Sequence, residues 1–206
     1  MNKLNFYFRQ IPGWAVILVV FGFLYLTGLH TEAIGQVQRL LLASGLRNAE
    51  MPVSAATAEA SGTTTMAGKG LKLKSLSSGK IVDFKSLRGK VIFLNMWATW
   101  CPPCVAEMPN IQSLYDKVGS DKIAFVMLSM DAAEGTADRV PKFIERKGFT
   151  FPVYLPASAM PEELHTSSIP ATFIISPEGK IVHYQEGMAE YDTEEVRAFL
   201  QGMVKQ

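Results

Sequence analysis

The pattern of hydrophobic and polar positions predicts an α/β domain in residues 71–206. At its start, Leu71 and Leu73 alternate with polar neighbours, turn residues surround Gly79, and residues 81–84 have the character of a returning strand. Period-two alternation on both sides of a glycine-containing turn is typical of a β-hairpin. We therefore expect the domain to open with such a hairpin.

Two longer apolar runs, at residues 91–96 and 123–130, have the continuity of strands buried on both faces of a sheet. Between them, apolar residues recur every three or four positions from Cys104 to Val118, and Gly119 is a suitable helix end. Strand, helix and strand in this order form a βαβ unit with parallel strands and a right-handed crossover. Another helix is predicted around Phe143, ending near Gly148.

The last third of the chain predicts two antiparallel strands, at residues 172–175 and 181–184, joined by a turn in which Gly179 supplies a positive φ. A short strand at residues 153–155 and a helical turn at residues 162–164 precede them. A final helix is expected to begin at Asp192 as N-cap. Together these elements predict a mixed sheet of four or five strands with helices on both faces.

The N-terminal region predicts a membrane anchor. Residues 1–10 carry Lys3 and Arg9 and precede residues 11–29, which contain no charged residue and are long enough to cross a bilayer. A cleaved signal peptide is the alternative, although this apolar run is longer than usual for one and no small-x-small site follows closely. The charges favour a cytoplasmic N-terminus. We expect a single-pass protein of the inner membrane whose C-terminal domain faces the periplasm or extracytoplasmic side.

Two further segments separate this anchor from the domain. Residues 30–47 have apolar positions at helical spacing and form either a juxtamembrane amphipathic helix or an extension of the anchor. Residues 48–70 are rich in Ala, Ser, Thr, Gly and Glu, with little that a core would bury. We interpret residues 48–70 as a flexible linker.

Composition narrows the function classes. The formal net charge is +1 and no lysine- or arginine-rich run is present, so we expect no nucleic-acid partner. The 206 residues include two cysteines, too few for a disulfide scaffold or for a four-ligand zinc site. Both lie where a buried strand gives way to a helix, two residues apart. This arrangement predicts thiol–disulfide exchange.

The order of the two cysteines suggests their roles. Unpaired N–H groups and a partial positive charge at a helix N-terminus stabilise a thiolate, so Cys101 is the candidate nucleophile and Cys104 the resolving thiol. Pro102 and Pro103 lack backbone N–H groups that would hold a thiolate, which favours a reductant or an intermediate potential. A permanently closed disulfide or half of a metal site is the alternative, against which stand the short loop and the lack of a second ligand pair.

The segment Asn95-Met96-Trp97-Ala98-Thr99-Trp100-Cys101-Pro102-Pro103-Cys104, followed by Glu107 and Pro109, resembles the active-site segment of thioredoxin-fold proteins. More narrowly, it resembles that of the TlpA/ResA-like membrane-anchored thiol:disulfide oxidoreductases. The resemblance covers about residues 71–204, including the motif Ile169-Pro170-Ala171-Thr172-Phe173. It implies a thioredoxin-like fold with an N-terminal hairpin and a helical insertion between residues 131 and 165.

The resemblance also implies roles for individual residues. Pro170 matches the family's cis-proline beside the cysteines, and the backbone of Ile169 would pair with an extended substrate. Glu107 becomes the candidate general base for Cys104, because Asn95 stands where thioredoxin has a buried aspartate. Trp100 would shield Cys101. Without the resemblance, Glu107 reads as a solvent-facing carboxylate and Pro170 as an ordinary trans loop proline.

The function implied is that of an extracytoplasmic enzyme that reduces partner disulfides through its Cys-Pro-Pro-Cys dithiol. Expected partners are disulfide-containing proteins, apocytochrome c among them in the setting of cytochrome c biogenesis, and a membrane thiol electron donor. No metal or cofactor beyond the redox-active disulfide is expected. The alternatives are a disulfide-forming oxidant on the same scaffold and a Cu(I)-binding module completed by His165 or His183. Peroxidase activity is not expected, because the cysteine segment does not have the Thr-x-x-Cys pattern.

Overall fold

The structure is a computed structural model that describes residues 12, 14–16, 18–19 and 67–204. Most of the predicted anchor, all of the predicted juxtamembrane helix and most of the predicted linker lie outside these residues. Among the described residues, no helix combines the length and the apolar character needed to cross a membrane. The anchor and the segment boundaries therefore stay predictions.

The described domain contains strands, α-helices and short 3-10 helices close to the predicted positions. The strands are β1 (Lys72–Ser75), β2 (Ile81–Asp83), β3 (Val91–Trp97), β4 (Ile123–Ser129), β5 (Val153–Pro156), β6 (Ala171–Ile175) and β7 (Ile181–Glu186). The α-helices are α1 (Pro102–Val118), α2 (Arg139–Lys147) and α3 (Glu194–Val204). The 3-10 helices are Phe84–Leu87, Asp131–Glu134 and Glu162–Leu164.

Within the described domain the strands form one mixed sheet of seven strands in the order β2-β1-β5-β4-β3-β6-β7. Strand β3 runs parallel to β4 and antiparallel to β6, as the predicted βαβ unit and C-terminal hairpin require. The predicted count of four or five strands is wrong, because the two strands of the N-terminal hairpin belong to the same sheet. It joins the sheet through antiparallel pairing of β1 with β5.

The segment between β4 and β6 differs from a purely helical insertion. It contains α2, which ends at Gly148 in the left-handed region with φ 71°. It also contains β5, which lies inside the sheet, parallel to β4 on one side and antiparallel to β1 on the other. The insertion therefore adds an interior strand that links the hairpin to the rest of the sheet.

The two faces of the sheet are covered differently. Phe93 and Trp97 of β3 belong to a core cluster that also holds buried side chains of α1, α2 and α3. Leu94 and Met96, on the opposite face, pack in a second cluster closed by 3-10 helix residues Phe84 and Leu164. Helices are expected on both faces of the sheet, but the second face is covered by 3-10 helices and not by α-helices. All three α-helices pack on one face. The right-handed crossovers from β3 to β4 and from β4 to β5 run in the same direction, which places α1 and α2 on that face.

The start of α3 is a second correction. Thr193 provides the cap, since its Oγ1 accepts a hydrogen bond from Val196 N–H at 3.2 Å. Asp192, the predicted N-cap, instead accepts hydrogen bonds from Lys117 Nζ and from Arg197, each at 2.5 Å. Because Lys117 lies in α1, this carboxylate ties α1 to the start of α3.

Candidate active site

The cysteine pair lies at the junction between β3 and α1. Cys101 is the N-cap of α1, Pro102 and Pro103 form its first turn, and Cys101 and Cys104 are joined by a disulfide. Cys101 is 4% exposed and Cys104 is fully buried, so Cys101 is the sulfur that a partner can reach. Cys104 N–H lies 3.3 Å from Cys101 Sγ. Since the two prolines carry no N–H, they add no backbone donor at this helix start.

The segment around Pro170 meets the disulfide from far along the chain. The Ile169–Pro170 peptide bond is cis, as the resemblance implies and the sequence alone does not. The carbonyl oxygen of Ile169 lies 3.8 Å from Cys101 Sγ. Among the described residues, no hydrogen-bond acceptor is recorded for Ile169 N–H. The backbone of Ile169 is therefore placed beside the reactive sulfur with a donor to offer to a partner strand.

The two tryptophans of the motif have different environments. Trp97 is fully buried and packs against Phe143 of α2, with ring centroids 5.5 Å apart. Trp100, directly before Cys101, is 46% exposed. A large exposed aromatic ring next to a reactive group is a suitable contact for a protein partner.

Glu107 lies in α1, three residues after Cys104, and is fully buried. Its Oε1 accepts a hydrogen bond from Asn95 Nδ2 at 2.8 Å, and its Oε2 accepts one from Ala189 N–H at 3.1 Å. Burial raises the pKa of Glu107 to about 8; the bonds from Asn95 and Ala189 act in the opposite direction, and the charge of Glu190 raises the pKa further. The solvent-facing interpretation of Glu107 is wrong. Its role as a base stays a prediction.

Three other buried polar groups accompany Glu107 on the helix-covered face of the sheet. Asn95 Nδ2 also donates to Thr172 Oγ1 on the neighbouring strand, at 2.9 Å. Tyr191 is fully buried, and its pKa is raised well above the usual value, first by burial and then by the nearby charge of Glu107. Asn95 and Thr172 are paired residues of β3 and β6, so the sheet itself aims both at the carboxyl.

Sequence reasoning missed Asp131, a buried carboxylate that holds the segment before Cys101. It accepts hydrogen bonds from Thr99 N–H at 2.9 Å and from Thr99 Oγ1 at 2.5 Å. Ser129 Oγ and Thr136 Oγ1 donate to the same carboxylate at 2.8 and 3.0 Å. Its place in the sequence could have indicated this role. An acidic residue shortly after a buried parallel strand lies at the edge of the sheet where the sites of α/β proteins form.

The histidines considered as Cu(I) ligands are not gathered with the cysteines. Within residues 67–204 and the few described N-terminal ones, no group of three or more His, Cys, Asp or Glu side chains is placed to hold a metal ion. His165 Nε2 lies 3.2 Å from the carbonyl oxygen of Met160. His183, on β7, is partly buried, which lowers its pKa to about 4.

Comparison with known proteins agrees with this geometry. The model of the AhpC/TSA family matches residues 67–184, which is more than half of the chain. The chain belongs to the AhpC/TSA family.

Relatives of this chain carry oxidoreductase names. Thiol-disulfide oxidoreductase ResA of Oceanobacillus iheyensis is 36% identical over 112 residues, which are 54% of this chain and 57% of that protein. ResA of Bacillus cereus is 32% identical over 124 residues, 60% of this chain and 69% of that protein. These names confirm the resemblance to ResA-like proteins. The chain spans 57% and 63% of the lengths of the Oceanobacillus ResA and of the thioredoxin-like protein YneN of Bacillus subtilis, about three fifths in each case.

Solved structures confirm the thioredoxin-like α/β fold. StoA from Bacillus subtilis aligns with a TM-score of 0.51 and 29% identity, over 58% of this chain and 88% of that one. A thiol:disulfide interchange protein of the thioredoxin family from Chlorobium tepidum aligns with a TM-score of 0.51 over 67% of this chain and 99% of that one. Its identity is 24%, so this second likeness concerns the fold alone.

Replacing Glu107 by glutamine should change how stability depends on pH. In the wild type the folded protein keeps the proton of Glu107 up to about pH 8, whereas the ordinary value for the unfolded chain is 4.5. Between these limits the folded state binds more protons, so its free energy of unfolding should fall as pH rises, by up to about 1.4 kcal/mol per pH unit. Glu107→Gln should lack this decrease. Urea unfolding of the oxidised full-length protein in mild detergent, from pH 5 to pH 8, measures it.

Glu145→Gln is the matched control, because Glu145 is exposed on α2. It should retain the wild-type slope. Parallel pH curves for the wild type and Glu107→Gln would contradict a proton held on Glu107.

Replacing Asp131 by asparagine should destabilise the protein. The amide turns one acceptor oxygen into a donor that faces hydroxyl and N–H donors, so at least one buried bond to a charged group is lost, at a cost of about 2–3 kcal/mol. The exposed Asp138 has no side-chain capping bond, so Asp138→Asn should change the free energy of unfolding by less than about 0.5 kcal/mol. Equal unfolding midpoints in urea for the two variants would show that Asp131 does not hold the Thr99 segment.

Proposed function

We propose that the protein is an extracytoplasmic thiol:disulfide oxidoreductase that reduces disulfides of partner proteins. The observation that carries this proposal is the Cys101–Cys104 disulfide at the first turn of α1, with the Ile169 carbonyl oxygen 3.8 Å from Cys101 Sγ. One cysteine is then slightly exposed, the other is fully buried, and a backbone edge is available for the partner. The names of the ResA relatives support the same chemistry.

The reaction begins with the reduced dithiol. The Cys101 thiolate attacks one sulfur of the partner disulfide, forming a mixed disulfide and releasing the other partner sulfur as a thiolate that takes up a proton. Cys104 then loses its proton and attacks Cys101 Sγ, which closes the Cys101–Cys104 disulfide and releases the second partner thiol. Two electrons pass to the partner together with two protons, one that Cys104 gives up and one from solvent, because Cys101 reacts as a thiolate. A thiol donor in the membrane returns two electrons to the oxidised pair.

Glu107 is the base proposed for the second step. It lies one helical turn after Cys104, both residues are fully buried, and no solvent reaches the buried sulfur to take its proton. A carboxyl whose pKa lies near 8 releases and accepts a proton close to neutral pH. The proton that leaves Cys104 is then held on Glu107 while the disulfide closes.

The direction of electron flow follows from how little the site stabilises a thiolate. Strong oxidants are oxidising because their reduced form is stabilised. Here Pro102 and Pro103 give no N–H donors at the helix start, and the N–H of Cys104 is the backbone donor near Cys101 Sγ. These features favour a reductant.

The proposed setting is the extracytoplasmic face of the inner membrane. It rests on the uncharged residues 11–29 and on the positive charges that precede them. Disulfide-containing proteins, with apocytochrome c among them, are the proposed partners. No observation on the described residues favours the alternative Cu(I)-binding module.

Mixed-disulfide trapping tests the assignment of the two cysteines. Full-length Cys104→Ser should accumulate a covalent complex with a disulfide substrate such as insulin, because Cys101 attacks and nothing resolves the product. Non-reducing electrophoresis followed by mass spectrometry of the linked peptides should locate the bond on Cys101.

Cys101→Ser is the control and should trap little, since Cys104 is buried. Equal trapping by both variants would contradict the assignment of Cys101 as nucleophile.

The reduction potential tests the direction. Equilibration of the full-length protein in glutathione redox buffers should give a value closer to the roughly −270 mV of thioredoxin than to the roughly −120 mV of the strongest periplasmic oxidants. Alkylation of free thiols followed by mass analysis reports the reduced fraction. A value near −120 mV would support the oxidant instead.

A further inference from the structure

One carboxylate, Glu186, fastens the loop that carries Ile169. Its Oε1 accepts hydrogen bonds from Ser167 Oγ and Ser168 Oγ, each at 2.6 Å. Its Oε2 accepts one from the hydroxyl of Tyr184 at 3.1 Å. The bonds from Ser167 and Ser168 lower the pKa of Glu186, so the carboxylate stays charged at neutral pH and keeps accepting from both serines.

Glu186 is well placed to act on Ile169. It is the last residue of β7 and pairs with Ala171, the residue directly after the cis-proline. Gly187 N–H donates to the carbonyl oxygen of Pro170 at 2.8 Å. The chain is therefore held on both sides of Ile169, after it by the pairing of β6 with β7 and before it by the two serine hydroxyls.

The hydrogen bonds to Glu186 restrict the loop and contribute little to the stability of the core. Ser167 and Ser168 are exposed, and hydroxyl groups at a surface find water as an alternative partner. Such bonds contribute little to global stability, but they restrict the backbone that bears them. Thr166 Oγ1 adds to this restriction by donating to the carbonyl oxygen of Ser168 at 2.7 Å. The group whose direction is fixed as a result is the peptide unit of Ile169.

We propose that Glu186 is a positioning residue that makes the site selective for polypeptide disulfides over small ones. The inference rests on the proposed oxidoreductase function. An extended polypeptide needs the Ile169 N–H and C=O groups in a set orientation to pair with them as an added strand. A small disulfide reaches Cys101 Sγ without that pairing. The exchange itself, with its bonds, electrons and protons, is the same for both substrates.

Substrate comparison tests the role of Glu186. With the full-length protein in mild detergent, Glu186→Ala should raise KM for insulin about fivefold and leave kcat unchanged, as expected when a contact made equally in the ground and transition states is lost. Its kcat/KM for the small aromatic disulfide 5,5′-dithiobis(2-nitrobenzoate) and its reduction potential should equal those of the wild type. Glu186→Gln, which keeps one acceptor oxygen, should give a smaller increase.

Glu178→Ala is the matched control. Glu178 also accepts a serine hydroxyl, that of Ser176 at 2.7 Å, but at the turn joining β6 to β7, the opposite end of the same hairpin. It should leave both substrates unaffected. The double variant Ser167→Ala/Ser168→Ala removes the two serine donors and keeps the carboxylate, so it should reproduce the insulin effect even if Glu186→Ala proves unstable.

The outcomes separate the two proposals. A wild-type protein that reduces neither substrate contradicts the oxidoreductase function. A wild type active on both, with an unchanged KM for insulin in the Glu186 and double serine variants, overturns the positioning role alone. Equal losses on insulin and on the small disulfide would also overturn it, because they indicate damage to the cysteine pair.

Discussion

The register between β3 and β6 is the constraint on which the site depends. Met96 pairs with Ala171, so the end of the strand before Cys101 lies against the start of the strand after Pro170. The next pair along, Asn95 and Thr172, lies on the helix-covered face and reaches Glu107 of α1. A shift by one residue would turn both polar side chains to the opposite face and move Ile169 away from the sulfur.

Burying Glu107 is costly, and the domain offsets only part of that cost. One amide donor from Asn95 and one backbone N–H from Ala189 are weak compensation for a carboxylate removed from water, so its proton is retained until about pH 8. An arginine or lysine at this place would have kept the carboxylate ionised and inert. Within the described part of the chain, no cationic side chain donates to Glu107, and the group is therefore free to exchange a proton near neutral pH.

Much of the fold followed from hydrophobic pattern, because β3 and β4 are buried on both faces and α1 has a regular apolar side. The position of β5 did not follow, since four residues with one buried side chain give no strong period, and their place in the sheet depends on pairing with distant β1. The sequence predicts Asp192 as the N-cap of the last helix because Glu195 follows it at the spacing of a capping box. In the structure Lys117 of α1 binds the same carboxylate. Local pattern predicts elements well, but it does not reveal which tertiary partner a polar side chain finds.

The same limit applies to the carboxylates around the disulfide, which differ in environment and hence in what they do. Asp131 is enclosed by hydroxyl and N–H donors and fixes the segment before Cys101. Glu186 lies at the rim, where serine hydroxyls lower its pKa, while burial raises that of Glu107 to about 8. A rise of pH through about 8 therefore changes the charge of Glu107 and leaves that of Glu186, at the loop that receives the partner, unchanged. The site separates proton exchange from partner positioning by placing chemically identical groups at different depths.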